Sequence, residues 1–252
     1  MLILGLTGGI ATGKSTVSHY LSEKYHIPII DADKIAREIV EPGTPCFKAI
    51  VDHFKPLIPD ITIIDENGNT ILNRSALGAF VFANKKELKV LNSITHPAVR
   101  KRILYLLFKS YISNDPVVIL DIPLLFESGM DWLCSRTLTI SCNSKTQLER
   151  LLSRNSELTK EQASNRINSQ MDLSKKLKLS DYVINNDFGL KELEENVDNF
   201  VKTNLLALNV NKDIGWNYKI SLWWNWYQLI FPPFAFAGAI AALIRKWISK
   251  CL

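Results

Sequence analysis

Close to the start of the chain, Gly8-Gly9-Ile10-Ala11-Thr12-Gly13-Lys14-Ser15 meets the pattern G-x-x-x-x-G-K-[ST] at every fixed position. Glycines let a backbone approach a ligand closely. Amides turned inward at the start of a helix make an anion cradle. Lys14 is placed to reach the β- and γ-phosphates of a nucleoside triphosphate, and the Ser15 hydroxyl to ligate Mg²⁺. The candidate phosphate-binding set is Gly8, Gly9, Ile10, Ala11, Thr12, Gly13, Lys14, Ser15 and Thr16.

Carboxylates supply the second part of such chemistry. Asp31 and Asp33 follow an apolar run, and one of them can cap the next helix while the other faces the ligand. A carboxylate there accepts a proton from an acceptor hydroxyl or holds it in line for attack. Asp121, after Val117-Val118-Ile119-Leu120, stands where a metal-orienting carboxylate is expected. His96 and Arg100 suit an anionic acceptor, although His96-Pro97 also reads as a helix start with the proline in its first position. Arg150, Arg154 and Arg166 flank a loop near Leu158. Arginines on such a helix–loop–helix fit a lid that neutralises the moving phosphoryl group and excludes water.

These residues need a frame to hold them. Leu2–Leu6, Ile27–Ile30, Val117–Leu120, 136–142 and "DYVINND" read as strands, and helical patterns fall between them. Alternation of this kind implies a parallel sheet covered by helices. Ligands collect beyond the carboxyl ends of such strands. The glycine loop, Asp31–Asp33, Asp121–Pro123 and Asn185–Asp187 would then surround one crevice. Lys34–Val40 reads as a helix, 41–45 as a turn, and the stretch from there to about Ser113 as helices interrupted by 65–69. "GLKELEENVDNFVKTNLL" reads as an amphipathic helix closing the body.

The 252 residues allow one large domain with an appendage, and 47% apolar content is ample for a core. The net charge of +5 is concentrated at the end: residues 216–252 hold four basic residues and no acidic ones. The body is nearly neutral, so no nucleic-acid partner is expected. Cys46, Cys134, Cys142 and Cys251 show neither zinc-ligand nor disulfide-scaffold spacing, which suits a reducing compartment. The apolar start is too short for a signal peptide.

Six stretches in order resemble the dephospho-CoA kinase family across roughly residues 1–206. They are "GLTGGIATGKS", "DADKIAREIVEPGTP", "LNSITHPAVR", "DIPLLFESG", "LERLLSRN" with "LTKEQASNRINSQ", and "SDYVINND". The resemblance implies an α/β fold: a three-layer, parallel-sheet P-loop kinase core with a helical lid and an acceptor-binding region. It implies phosphorylation of the ribose 3′-hydroxyl of dephospho-coenzyme A by ATP with Mg²⁺, the last step of coenzyme A biosynthesis. On the matching positions, Asp33 is the general base, with Lys14 and the loop on the ATP phosphates. Arg37, His96 and Arg100 lie on the acceptor side with Asp33, Arg150 and Arg154 come from the lid, and Ser15 and Asp121 serve the metal. Two departures stand out. Ala11-Thr12 replaces the family's frequent Gly-Ser, and Asn185–Gly189 stretches its Asn-x-Gly.

The domain reading is 1–206 kinase, 207–219 linker and 220–252 a hydrophobic helical tail. Residues 220–244 carry no charge over 25 positions, against the ~20 that cross a bilayer as a helix. Trp223, Trp224, Trp226 and Tyr227 flank one end, and Arg245, Lys246 and Trp247 the other, as at membrane interfaces. Residues 220–247 are therefore the expected membrane contact, with the catalytic body on the cytosolic side. Pro232-Pro233 keeps a re-entrant hairpin or interfacial anchor open beside a straight span, and packing against the body is the third possibility. Two other functions remain open. One is another small-molecule kinase on the same scaffold. The other is a membrane-bound nucleotide switch, since Asp65–Gly68 offers the D-x-x-G of GTPases. The sequence leaves the oligomeric state open.

Overall fold

The computed structural model describes residues 1–206. The chain divides into two compact units, Met1–Val197 and Asp198–Leu252. The first contains the sheet and every candidate site residue, whereas the second is described only as far as Leu206. The expected linker and tail lie outside the described residues.

Five strands form one parallel sheet: β1 (Leu2–Gly8), β2 (Ile29–Asp31), β5 (Val117–Asp121), β6 (Arg136–Ser141) and β7 (Tyr182–Asn185), in the order β2-β5-β1-β6-β7. Leu4, Leu6, Val118, Ile119, Leu120, Leu138 and Ile140 are fully buried. Burial on both faces explains why these strands read as continuous apolar runs rather than alternating ones. The register aligns Asp31, Asp121 and Leu6 across adjacent strands. Their carboxyl ends therefore share one rim, where ligands of such sheets bind.

The helices are α1 (Lys14–Tyr25), α2 (Ala32–Glu38), α3 (Pro45–Phe54), α4 (Arg74–Ala83), α5 (Lys85–Ile112), α6 (Ser144–Arg154), α7 (Lys160–Asn168), α8 (Leu173–Leu179) and α9 (Leu190–Phe200). A short π-helical stretch follows α9 at Val201–Leu206. Two apolar clusters organise the part before β6. One lies against the sheet and includes Ile30, Ile35, Ile103, Leu107, Val118 and Leu120. The other is built by α3, α4 and their neighbours around Ile50, Phe54, Ile61, Leu77 and Val81.

Three local readings are corrected. The polar interruption at 65–69 is the turn of an antiparallel pair, β3 (Thr62–Ile64) and β4 (Thr70–Leu72). Asp65 accepts from the backbone N–H groups of Asn67 and Asn69, so the D-x-x-G of the switch reading is a hairpin turn. Second, Pro97 does not begin a helix; it lies inside the 28-residue α5. An interior proline loses a hydrogen bond and costs about 3 kcal/mol, but apolar burial flanks it on both sides. Leu88, Leu91, Ile94 and Ala98 pack on the helical cluster, and Val99, Ile103 and Leu107 on the sheet cluster. Third, α2 begins at Ala32, two residues before its expected start, because Asp31 caps it, and β2 begins at Ile29, two residues after its expected start.

Candidate active site

The phosphate loop leaves β1 at Gly8 and enters α1 at Lys14. Gly13 has φ +96°, and a Cβ there would lie 2.2 Å from Asn186 Nδ2, so no other residue fits. That amide donates to the Thr12 carbonyl at 2.9 Å. A Cβ on Gly8 would meet the Ile140 carbonyl at 2.8 Å, and one on Gly9 would meet Gln147 Nε2 at 2.6 Å. The Thr12 hydroxyl donates back to the Gly9 carbonyl at 2.9 Å. Ala11 takes φ +60°, a conformation that costs a side chain about 1 kcal/mol or more.

Lys14 pairs with Asp121 through a short contact, and its side chain is 15% exposed. Burial pushes the Asp121 carboxyl above its ordinary range, while the Lys14 ammonium and a hydrogen bond from Ser18 pull it back. The nearby Asp31 carboxylate adds to the upward push. Asp31 and Asp121 stand at the ends of adjacent strands and Ser15 is exposed next to Lys14; oxygen donors of this kind are the type a hard divalent cation takes.

The aspartates after β2 have separate jobs. Asp31 is the N-cap of α2 and accepts from the N–H groups of Asp33 at 2.8 Å and Lys34 at 3.0 Å. Asp33 sits exposed in the first turn, and the cap leaves its carboxylate unused. Arg37 lies exposed further along α2. His96 and Arg100 are exposed near the middle of α5. α2 packs on α5 through Ile35 and Ile103, and an ion pair joins Glu38 to Arg102 at 3.5 Å. The candidate acceptor residues thus stand on neighbouring helices.

The lid expectation falls on α6 and α7. Arg150 donates to the Asn186 carbonyl at 2.8 Å, and Arg154 donates to Asn155 Oδ1 at 3.2 Å. In this form neither arginine is directed by a contact with the phosphate loop. A reciprocal capping box between Thr159 and Gln162 fixes the start of α7. Arg166, in its last turn, is exposed.

Three further side chains reach the site without any local signal in the sequence. Gln170 accepts from the Ile10 N–H at 2.9 Å, and Gln147 donates to the Ile10 carbonyl at 2.8 Å. Both polar backbone atoms of one loop residue are thereby gripped, by a side chain of α6 and one that follows α7. The third is Lys176 on α8, fully buried at 0% exposure. It donates to the Gly8 carbonyl at 3.4 Å and the Pro123 carbonyl at 3.1 Å, and pairs with Glu127 at 2.8 Å. Each contact spans dozens of residues, so local pattern carries no sign of it.

A parallel sheet, a G-x-x-x-x-G-K-S loop between its central strand and a helix, and acidic ends on the neighbouring strands define a phosphate-loop kinase. The dephospho-CoA kinase family matches residues 2–192. The chain is 48% identical over 206 residues to the dephospho-CoA kinase CAB5 of Saccharomyces cerevisiae, covering 80% of this chain and 82% of that one. It is 45% identical over 203 residues to a dephospho-CoA kinase of Oceanobacillus iheyensis, covering 80% and 96%. Among solved structures, the dephospho-CoA kinase from Campylobacter jejuni superposes with a TM-score of 0.60 at 28% identity, covering 79% of this chain and 95% of that one. TT1252 from Thermus thermophilus gives 0.66 at 29%, covering 81% and 97%. The chain belongs to the dephospho-CoA kinase family.

Proposed function

We propose that the chain transfers the γ-phosphoryl group of ATP to the ribose 3′-hydroxyl of dephospho-coenzyme A, releasing ADP and coenzyme A. The observation that carries this reading is the division of labour between the two aspartates. Asp31 is spent on the cap of α2, and Asp33 is left exposed in its first turn, on the same rim of the sheet as the phosphate loop. β5 separates β2 from β1, which puts their ends about 10 Å apart. A transferring phosphoryl group and its acceptor fill a gap of that size.

In this mechanism the loop amides and Lys14 hold the β- and γ-phosphates, which requires Lys14 to leave Asp121. Asp33 takes the proton of the 3′-hydroxyl as the oxygen attacks phosphorus. Arg37, His96 and Arg100 hold the anionic acceptor. Arg150 and Arg154 turn toward the nucleotide as α6 and α7 close, balancing charge and excluding water. Ser15 and Asp121 are the residues that would hold Mg²⁺, which when bound neutralises the phosphate oxygens. The three-layer core carries α6 and α7 as its lid and the α3–α5 region as its acceptor side. Purified protein should release ADP from ATP only when dephospho-coenzyme A is added. Transfer to a nucleoside or to shikimate instead would point to the rival small-molecule kinase, and equal release without any acceptor would mean hydrolysis and overturn the kinase reading.

We also infer that residues 1–206 are the kinase, 207–219 a linker, and 220–252 a tail that attaches the enzyme to a membrane through residues 220–247. The support is the uncharged 220–244 run with its aromatic and basic flanks. Among the described residues no helix is long and apolar enough to cross a membrane. Flotation with lipid vesicles tests the inference: the full chain should rise with the vesicles and a chain ending at residue 206 should stay behind. Equal flotation removes the tail from this role.

A further inference from the structure

The only job a buried ammonium can hold without great cost is one in which all its protons are spoken for. Lys176 meets that condition. Its three N–H donors face three acceptors: the Gly8 carbonyl, the Pro123 carbonyl and Glu127 Oε1. The acceptors belong to the two strand ends that matter most. Gly8 is the last residue of β1 and the first of the phosphate loop. Pro123 stands two residues after Asp121, the residue that ends β5. Thr7 donates to the same Pro123 carbonyl at 2.8 Å.

Glu127 extends the arrangement toward the lid. The same Oε1 that pairs with Lys176 accepts from the Met171 N–H at 3.0 Å. Met171 follows Gln170, which accepts from the Ile10 N–H. A ring of contacts results: Gly8 carbonyl, Lys176, Glu127, Met171, Gln170, Ile10, and back through the loop to Gly8. Its members come from the loop itself, the segment after β5, the exit of the lid and α8.

We propose that Lys176 and Glu127 are positioning residues for phosphoryl transfer. They set the distance between the entry of the phosphate loop and the end of β5, and they tie the lid's exit to the loop. Neither touches a phosphate. Their effect passes through the Gly8 carbonyl and the Pro123 carbonyl, which fix where Lys14 and Asp121 stand. The proposal rests on the reading of residues 8–16 as the ATP site and goes beyond it.

The test separates positioning from mere stability. Lys176→Met leaves Glu127 without its ion-pair partner and should lower the melting temperature. It should also raise the KM for ATP and lower kcat by roughly tenfold or more, the scale of a lost charged hydrogen bond or a small misplacement of reacting groups. The KM for dephospho-coenzyme A should stay within about twofold, since the acceptor side is untouched. Adding Glu127→Gln to Lys176→Met removes the unpaired charge and should recover melting temperature, while kcat and ATP affinity remain depressed. Recovery of both together would show the pair to be structural only and overturn the proposal. Should Lys176→Met fail to fold, Glu127→Gln alone decides: weakened ATP affinity near the wild-type melting temperature supports positioning, and wild-type kinetics overturns it. Lys14→Ala is the control. If it binds ATP as tightly as wild type, the reading of the loop itself fails, and this proposal with it. If it binds weakly while the Lys176 and Glu127 variants behave as wild type, only the positioning role is lost.

Discussion

Two aspartates, one residue apart, end up in different trades because only one can cap α2. Asp31 supplies the cap oxygen, and Asp33 keeps a free, exposed carboxylate in the helix's first turn. Replacement of Asp33 by asparagine preserves shape and exposure, so ATP affinity should hold within about twofold while kcat falls roughly 100-fold or more, as for loss of a general base. The check is a coupled ADP-release assay beside an ATP titration; unchanged kcat removes Asp33 from the mechanism. At this scale the sequence was legible where chemistry is local. The loop glycines and the Asp31–Asp33 pair are contiguous motifs whose residue types follow from backbone and capping geometry. Gln147, Gln170 and Lys176 were not legible. Each is an unremarkable polar residue on a helix or turn until folding brings it to a loop carbonyl or amide more than a hundred positions away.

Elements depend on their junctions, and the β7 exit shows how. Asp187 accepts from the Asn143 backbone N–H at 2.6 Å and from its side chain at 3.0 Å. Asn143 in turn caps α6 by accepting from the Thr146 N–H. These hydrogen bonds, led by the one from the Asn143 backbone, hold the Asp187 carboxyl below the usual carboxylate range. A lowered carboxylate binds fewer protons folded than unfolded, so its stabilisation is present above the ordinary value and lost as pH falls through the folded one. The melting-temperature gap between wild type and Asp187→Asn should therefore be widest near neutrality and close in acid. A gap independent of pH would show that the charge of Asp187 does not matter to this junction. The sequence placed this strand and the helices α6 and α7, because apolar spacing and caps are local signals. It missed β3 and β4, only three residues each, and it read Pro97 as a boundary. Proline's local preference yielded there to burial on both sides of it.

For the molecule as a whole, the kinase reading needs nothing beyond residue 206. A chain ending there should keep kcat and both KM values within about twofold of the full chain, because the family match and every proposed site residue precede it. Loss of activity in a folded, truncated chain would place the tail within the catalytic body. The parallel sheet was legible because strands buried on both faces must be apolar throughout. The meeting of α2 with α5 was not, since it depends on how two separate apolar faces share one cluster. α5 has a further consequence. At 28 residues it is about 42 Å long, and its two halves are embedded in different cores. Neither core can melt without stripping that shared rod of half its cover, so the two should unfold in a single cooperative step. If ATP and the acceptor bind as proposed, one at the sheet and the other along α2 and α5, they protect the same folded state, and each ligand should guard the other's half of the enzyme against heat.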